Sequence, residues 1–308
     1  MNVIHQAREL QAGTHKVCAA IGVFDGVHLG HQQVLRQTLT DAEQNEGIPV
    51  AITFDRHPST IVAPERAPRM IYSLEQKLTT ISQLGFEHVL VIQFDQEVSR
   101  ISGMDFITGL VKDFGSLASI CVGSAFTFGH RRSGNVTLLR NLGAEHGFKV
   151  HGLAAVALDG EAVSSTRIRT AISKGQLDAT GQMLGRAYAI GGPVIKGAQL
   201  GRQLGFPTAN IAIGDLITPP HGVYAVHISA AGKSHRSVLN IGVRPTVSEG
   251  DPTLHVEAHL LDFTGDLYGQ DLEITFVRHL RPEQKFPDLE SLKSQIAADI
   301  ETARQIFS

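Results

Sequence analysis

The 308-residue sequence has no tryptophan, two cysteines and no excess of basic residues. Its 27 Lys and Arg stand against 30 Asp and Glu, so we expect no basic field for a nucleic-acid backbone. No stretch approaches the roughly 18 apolar residues of a membrane span, and the first residues lack the basic-then-apolar pattern of a secretion signal. These absences predict a cytoplasmic protein that binds neither nucleic acid nor membranes.

The two cysteines, Cys18 and Cys121, both lie within apolar runs. A disulfide framework would need more cysteines and an exported chain, and neither cysteine has a second one at metal-ligand spacing. We therefore expect two buried thiols that pack as small hydrophobic side chains.

The length favours about two domains, at roughly 100–200 residues each. In the first half, short apolar runs alternate with segments of helical spacing, which predicts a doubly wound α/β domain around a parallel sheet. Helices are expected over Leu29–Glu46 and from a capping box at Ser73 to Gly85. Ligands of such domains gather at the carboxyl ends of the strands. The predicted strands are Val17–Phe24, Pro49–Phe54, His88–Phe94, Ser119–Gly123 and Val150–Leu158.

The second half has short strand-like segments separated by Gly, Pro and Asp, which predicts a small antiparallel β-barrel. One closing helix is expected after Pro287, with Asp288 as its N-cap and apolar residues at a spacing of three or four up to Phe307. We place the boundary between domains of residues 1–183 and 184–308. The predicted barrel strands are Val223–Ser229, Ser237–Val243, Leu254–Leu261 and Leu272–Leu280.

A glycine-rich segment, Gly22–His31, follows an apolar strand and opens a helix. The free N–H groups of a helix start bind phosphate. His28 and His31 are three residues apart, so both rings can face one ligand, and Gly26 and Gly30 let a triphosphate approach the backbone. The alternative is a glycine-rich turn with two surface histidines. The position at a strand-to-helix turn favours the phosphate site.

Hydroxyls and cations at Ser164–Arg169 mark a second predicted helix start, suited to holding polyphosphate or simply a capped basic helix. The segment with His28 and His31 resembles the His-x-Gly-His nucleotidylyltransferase superfamily, and Ser164–Arg169 resembles the closing motif of that superfamily. The resemblance implies transfer of AMP or CMP from a nucleoside triphosphate, with Arg167 and the two histidines stabilising charge. The nucleotide-binding residues it implies are Gly22, Phe24, Asp25, Gly26, Gly30, His57, Ser164, Ser165 and Thr166.

A second glycine-rich segment, Gly191–Ile211, contains Thr208 and Asn210 after Pro207, which restricts the chain. In an extended chain, residues two apart point the same way, so the Thr208 hydroxyl and the Asn210 carbonyl can converge on one Mg²⁺. The P-loop pattern is absent from the sequence. A glycine-rich turn beside a polar strand edge is the alternative.

The run Gly201–Asn210 resembles the riboflavin kinase signature, and the similarity continues through later segments such as Leu261–Asp262–Phe263. It implies that Thr208 and Asn210 hold Mg²⁺ and ATP and that Glu257 is the general base. Alternation puts Glu257 on the strand face opposite three apolar neighbours, where it could accept the proton of the attacking hydroxyl. Nucleotide contacts are expected at Gly197, Gly201, Arg202, Gly205 and Pro207; Arg281 is expected to contact the flavin or its phosphate, or to form a surface ion pair.

The two halves together resemble the bacterial bifunctional FAD synthetase family (riboflavin kinase/FMN adenylyltransferase). The resemblance implies phosphorylation of riboflavin to FMN and adenylylation of FMN to FAD, with ATP as co-substrate and Mg²⁺ as cofactor. Ala125 stands where relatives usually carry Asn or Asp, and Arg56 stands where Pro or Glu is common. Open alternatives are a kinase with a weak or regulatory adenylyl-binding half, a non-catalytic flavin or nucleotide sensor, and transfer to another acceptor by the first half.

Overall fold

The computed structural model describes residues 1–197, 201, 204–230, 232–244 and 253–308, the side chains of Arg244 and Thr253 excepted. Residues within this part of the chain form two compact units, Met1–Ser165 and Thr166–Ser308. The boundary predicted between residues 183 and 184 falls at the end of a helix, Leu177–Leu184. Among the described residues, no helix is both long and apolar enough to cross a membrane.

The first unit alternates strands and helices along the chain, as the sequence predicts. Its helices are α1 (Leu29–Gln44), α2 (Ser59–Val62), α3 (Leu74–Gln83), α4 (Gly103–Phe114) and α5 (Val136–His146). Its strands are β1 (Asn2–Ile4), β2 (Val17–Ile21), β3 (Ile48–Phe54), β4 (His88–Ile92), β5 (Leu117–Gly123), β6 (Thr127–Phe128), β7 (Gly134–Asn135), β8 (Lys149–Leu153), β9 (Ala157–Leu158) and β10 (Glu161–Ala162).

Six of these strands form one parallel sheet in the order β1-β4-β3-β2-β5-β8. Successive strands extend from β2 towards one edge through β3 and β4, and towards the other through β5 and β8. The strand order therefore reverses between β2 and β5. In open α/β sheets the ligand crevice lies outside the carboxyl ends of the strands at such a point.

The central strand β2 is buried along its whole length. Its side chains alternate between two hydrophobic layers, because successive residues of a strand point to opposite faces. Ala19 and Ile21 pack in the layer that contains Ile107 of α4, whereas Ala20 packs in the layer that contains Leu35 of α1. Helices thus cover both faces of the sheet, which confirms the predicted doubly wound class.

The last strand predicted in the first unit ends five residues earlier than the sequence predicts. The strand predicted over Val150–Leu158 ends at Leu153, and Ala157–Leu158 pairs instead with Glu161–Ala162. The intervening Asp159 and Gly160 both have positive φ (55° and 79°), which is the geometry of a tight two-residue hairpin turn. The apolar run continues without interruption from Leu153 to Leu158 and concealed the break between the two strands.

The second unit contains a closed antiparallel barrel in the order β11-β12-β15-β14-β13-β16. Its strands are β11 (Ala189–Ile195), β12 (Ala209–Ile211), β13 (Gly222–Ala230), β14 (Lys233–Arg244), β15 (Thr253–Leu260) and β16 (Asp271–Pro282). The helices are α6 (Ser165–Ser173), which begins at the boundary between the units, α7 (Leu177–Leu184) and α8 (Leu289–Phe307).

Helix α8 closes one side of the barrel, as predicted. Its N-cap is Asp288, whose side chain accepts a hydrogen bond from Ser291 N–H. Ala303 of α8 is fully buried in a cluster with Val223 of β13 and Val238 of β14. The predicted capping box of α3 is also confirmed, with reciprocal bonds between Ser73 and Gln76.

Candidate active sites

The loop after β2, residues 22–28, leaves the sheet at the point where the strand order reverses. Two of its non-glycine residues have left-handed backbone conformations, Phe24 (φ 52°) and Val27 (φ 39°). Such conformations cost about 1–3 kcal/mol each and persist only where the surroundings impose them. Gly26, between them, also has a positive φ (75°), which glycine adopts without strain.

The Asp25 carboxylate holds this strained loop in place. It is 1% exposed and accepts hydrogen bonds from the backbone N–H groups of Ile71, at 3.0 and 3.1 Å, and Tyr72, at 3.2 Å. Phe24 is equally buried, and its ring makes a T-shaped contact with the His31 ring at a centroid distance of 5.4 Å. The buried side chains of Phe24 and Asp25 therefore support the loop, and any nucleotide contact by these two residues stays a prediction.

Removal of this carboxylate tests its role in holding the loop. We expect Asp25→Ala to lower the free energy of unfolding of the first unit by about 2–4 kcal/mol, because two buried N–H donors lose their acceptor. Hydrogen–deuterium exchange measures the effect directly, as faster exchange of the Ile71 and Tyr72 amides. Asp113→Ala, at an exposed position of α4, is the control and should leave these amides protected. Unchanged protection in Asp25→Ala would contradict the assignment.

The two predicted histidines lie together at the start of α1. His28 is the N-cap, and its Nδ1 accepts a hydrogen bond from His31 N–H at 3.4 Å. The rings stack with centroids 3.6 Å apart and an interplanar angle of 20°. Gly30 permits this arrangement, since a Cβ there would lie 3.2 Å from His28 Cε1. With Nδ1 as acceptor, neutral His28 carries its proton on Nε2, which makes that atom a donor suited to a phosphoryl oxygen.

The second phosphate motif contacts this loop through one of its serines. Ser165, the first residue of α6, donates a hydrogen bond from Oγ to the Asp25 carbonyl at 3.1 Å. The predicted helix start is therefore confirmed, and residues 140 positions apart meet at one turn. Ser164 is half-buried and Thr166 is exposed. Arg167 belongs to the second unit, and its role at the phosphate stays a prediction.

The third element at this edge is the loop that follows β3. His57 is half-buried, and its Nδ1 accepts a hydrogen bond from Ser59 N–H at 3.2 Å. Nδ1 is thus satisfied by local backbone, and neutral His57 carries its proton on Nε2.

Arg56 pairs with the neighbouring Asp55 at 2.9 Å, while Ala125 is exposed in the loop after β5. Gly22, at the start of the first loop, lies so close to Phe24 that a Cβ would be 2.7 Å from the ring.

In the second unit, Asn210 of β12 lies directly opposite Glu257 of β15 in the strand register. Opposed residues on antiparallel strands have Cβ atoms about 4.5–5.5 Å apart and share a face. The neighbours of Glu257 on β15, Val256 and Ala258, are 3% and 0% exposed. Glu257 itself is half-buried, so the alternation predicted for this strand is confirmed.

Two glycines make room for the predicted metal ligands. Gly197 lies against the Asn210 amide so closely that any Cβ would overlap it, and a Cβ on Gly201 would lie 3.1 Å from Thr208 Oγ1. Gly197 therefore lies beside Asn210 and Gly201 beside Thr208, and metal or nucleotide binding by these residues stays a prediction. Three other nucleotide contacts were predicted. Gly205 has a φ of 90°, and the Pro207 carbonyl accepts a hydrogen bond from His259 Nδ1. Arg202 lies outside the described residues.

Two cavities meet at Thr208 in the barrel unit. One lies between the barrel and α8; among its lining residues are Thr208, Val223, Asn240, Glu257, Arg281, Phe286, Ile296 and Asp299. The other lies beside the loop after β15; among its lining residues are Val194, Pro207, Thr208, Ala258, Phe263, Asp266 and Tyr268.

These two cavities suit two different ligands. The first combines an apolar wall with Glu257 and Asn240, which fits a flat aromatic molecule that carries hydroxyl groups. Because Thr208 lines both cavities, a group held beside it is within reach of ligands in each. The arrangement is suited to transfer of a phosphoryl group from one ligand to the other.

Arg281 forms an ion pair at the wall of the first cavity. Its guanidinium binds both carboxylate oxygens of Asp299 on α8, at 2.8–3.1 Å, and lies 5.7 Å from the centroid of the Phe286 ring. The side chains of Arg281 and Asp299 are 18% and 7% exposed. Of the two roles expected for Arg281, the ion pair is therefore present, but it is half-buried and ties β16 to α8 rather than lying on the open surface.

We expect Asp299→Ala to destabilise the barrel unit by about 1–3 kcal/mol, because the largely buried Arg281 would lose its partner. This loss in the free energy of unfolding is smaller than for a fully buried ion pair, because solvent still reaches Arg281. Calorimetric unfolding measures the change. Arg304→Ala on α8 removes the ion pair between Arg304 and Asp262, both well exposed, and is a matched control that should have little effect. Equal effects of the two substitutions would show that burial does not strengthen the Asp299 pair.

Several polar side chains at the first cavity were not predicted as site residues, and two of them, Asn240 and His259, lie beside Glu257. Asn240 of β14 lies opposite Glu257 in the register, and His259 lies two residues beyond Glu257 on the same strand face. The alternation of β15 gave a signal for His259. For Asn240 no local pattern gives its strand partner, because the pairing of β14 with β15 joins distant segments.

The first unit carries stacked histidines where the strand order of its parallel sheet reverses. The barrel unit carries Thr208, Asn210 and Glu257 beside two cavities. Together these features define a two-domain transferase. Comparison with known families agrees. The profile described as FAD synthetase matches residues 10–167, and the profile described as riboflavin kinase matches residues 184–307. The chain belongs to the bifunctional riboflavin kinase/FMN adenylyltransferase family.

Similar proteins cover the whole chain. The bifunctional riboflavin kinase/FMN adenylyltransferase of Pseudomonas fluorescens is 40% identical over 95% of this chain and 94% of its own length. That of Escherichia coli K12 is 36% identical over 100% and 98%. A crystal structure titled a macrolide-efflux protein from Streptococcus pneumoniae shares the fold, with a TM-score of 0.83, 25% identity and 98% coverage of both chains.

Proposed function

We propose that the barrel unit phosphorylates riboflavin to FMN and that the first unit adenylylates FMN to FAD with release of pyrophosphate. The observation that carries the proposal is the register of Asn210 opposite Glu257, with Thr208 in the wall shared by two cavities. A kinase must bring a base, an acceptor hydroxyl and a terminal phosphate to one point. Family membership supports the same two reactions.

In the kinase reaction, Glu257 accepts the proton of the terminal ribityl hydroxyl as that oxygen attacks the γ-phosphorus of ATP. The bond from the γ-phosphorus to the β,γ-bridging oxygen breaks, which leaves ADP and FMN. The apolar wall between the barrel and α8 is suited to the isoalloxazine ring, and a ring bound there would direct its ribityl chain towards Glu257. The neighbouring cavity then takes the nucleotide.

In the adenylylation reaction, an FMN phosphate oxygen attacks the α-phosphorus of ATP and pyrophosphate departs. The attacking phosphate is already ionised near neutral pH, because its second pKa is about 6, so no general base is required. His28 and His31 instead donate hydrogen bonds to oxygens on which negative charge increases. Arg167 is assigned to the same task by its match to the superfamily motif.

The residues of the barrel unit fit Mg²⁺. Thr208 offers a hydroxyl and Asn210 a carbonyl oxygen, and nucleotide phosphates complete a shell of the hard oxygen ligands that Mg²⁺ prefers. When bound there, the ion would neutralise phosphate charge. ATP is the common co-substrate of both proposed reactions, and the cytoplasmic location stays a prediction from the sequence.

The test is incubation of purified protein with riboflavin, ATP and Mg²⁺, followed by chromatographic separation of flavins. We expect FMN to appear first and FAD after it. FMN without FAD would reduce the first unit to a weak or regulatory adenylyl binder. A reaction without any flavin product would favour the sensor. Supplied FMN, tested separately, shows whether the first unit acts independently of the kinase.

A further inference from the structure

Lys77 is a buried ammonium group close to the histidine site that neither reaction above uses. It lies one turn into α3 and is 2% exposed. Its Nζ donates three hydrogen bonds, to Phe54 O at 2.7 Å, Thr53 Oγ1 at 3.1 Å and Val23 O at 3.2 Å. An ammonium has three protons to donate, and here each has an acceptor.

These acceptors lie in the histidine loop and at the end of β3, where the His57 loop begins. Val23 immediately precedes the left-handed Phe24 in the histidine loop, and Phe54 is the last residue of β3, from which the His57 loop departs. Thr53 adds a direct link, since its hydroxyl also donates to the Val23 carbonyl at 3.0 Å. The Lys77 ammonium therefore ties the carboxyl ends of β2 and β3 together.

The start of α3 acts on the same loop from a second direction. The N–H groups of Ile71 and Tyr72 bind the Asp25 carboxylate, and the helix begins two residues later. The segment from Ile71 to Lys77 thus contacts the histidine loop on both sides of Phe24. A strained loop needs such contacts to keep one conformation.

We propose that Lys77 is a positioning residue for adenylyl transfer, which fixes the histidine loop relative to the His57 loop through its three hydrogen bonds. Its burial excludes direct contact with the nucleotide, so it acts through His28 and His31. Misplacement of catalytic groups by about 1 Å can slow a reaction on the order of 100-fold. The inference rests on the proposed FMN adenylylation.

The charge of Lys77 is sensitive to pH in the working range. Burial lowers the pKa of its ammonium to about 8, while the carboxylates that face it, Asp25 and Asp55, raise that pKa. Loss of a proton above this pH leaves two donors for three acceptors. In the unfolded chain Lys77 keeps its proton up to a pH near 10.4. Between about pH 8 and about pH 10.4 the unfolded chain therefore binds more protons than the folded chain, and the free energy of unfolding rises with pH. Loss of the Lys77 proton therefore does not unfold the protein, and a decline in FAD formation above pH 8 would have another cause than unfolding.

The experiment compares Lys77→Met with the wild-type chain, using Lys112→Met at an exposed position of α4 as the control. Methionine keeps much of the bulk and removes the charge. We expect kcat for FAD formation from FMN to fall about 10- to 100-fold in Lys77→Met, with a smaller change in KM. FMN formation from riboflavin in the same samples should be unchanged.

The pH profile separates positioning from mere packing. Wild-type FAD formation should decline above pH 8, FMN formation should not share that decline, and the low activity of Lys77→Met should lack it. If Lys77→Met kept both the wild-type kcat and the wild-type decline above pH 8, this inference would be overturned and the proposed function would stand. If the variant does not fold, a wild-type profile without a decline near pH 8 overturns it. A wild-type chain that makes no FAD overturns both the proposed function and this inference.

Discussion

Glu257→Gln should lower the rate of FMN formation about 10²- to 10⁴-fold, the usual contribution of a positioned general base. Glutamine keeps the size of the side chain and its place opposite Asn210, but its amide does not accept the hydroxyl proton. The buried neighbours Val256 and Ala258 are unaffected, so the barrel should remain folded. The measurement is initial rates of FMN formation at saturating riboflavin and ATP.

Two comparisons make this result specific. Formation of FAD from supplied FMN should proceed at the wild-type rate, because that reaction belongs to the other unit. Glu273→Gln changes an exposed glutamate on β16 and should leave both reactions intact. Loss of both reactions in Glu257→Gln would contradict separate sites, and full retention of FMN formation would remove Glu257 from its role.

His28→Ala should lower the rate of FAD formation from FMN about 10²- to 10³-fold, as the loss of one preorganised donor to transition-state charge typically does. The substitution removes the Nε2 donor and also the Nδ1 acceptor of His31 N–H. His31 would lose its stacking partner at the same time, so the effect includes the displacement of the second ring.

The kinase reaction again serves as the internal reference. FMN formation by His28→Ala should match that of the wild type. His15→Ala, an exposed histidine of the same unit whose Nδ1 contacts the Glu46 carbonyl, should preserve both reactions. If His28→Ala formed FAD at the wild-type rate, the stacked histidines would have no part in the transfer.

Much of this arrangement follows from local patterns in the sequence. The capping residues Ser73 and Asp288 predict the starts of α3 and α8, since a side-chain oxygen before an amphipathic stretch satisfies free N–H groups. Alternation around Glu257 predicts its face of β15, because the period of two is a property of any strand. Signals of this kind act over a few residues.

The features that local patterns did not predict depend on distant partners. Strands β11 and β12 were not expected, because Gly191, Gly192 and Pro193 break up the first and the second is three residues long. Both exist through pairing with β16 and β15, which supply the hydrogen bonds. Closing the barrel thus imposes strand conformation on weak local sequence.

The same holds for the charged side chains that shape the sites. The sequence predicts Asp25 as a nucleotide contact and assigns Lys77 no role, and the burial of neither was expected, because charged side chains usually lie in solvent. They are buried because the fold supplies backbone partners from segments 46 and 54 residues away, Ile71 for Asp25 and Val23 for Lys77. A single sequence carries no record of these pairings.

The closure of the barrel bears on how the chain behaves at high concentration. A closed sheet offers no outer strand to a neighbouring molecule, and within the described residues each barrel strand has partners on both sides. The parallel sheet does have two outer strands, but β1 and β8 contain only three and five residues. Within the described residues, the barrel and the parallel sheet therefore offer little backbone for edge-to-edge association with a second molecule.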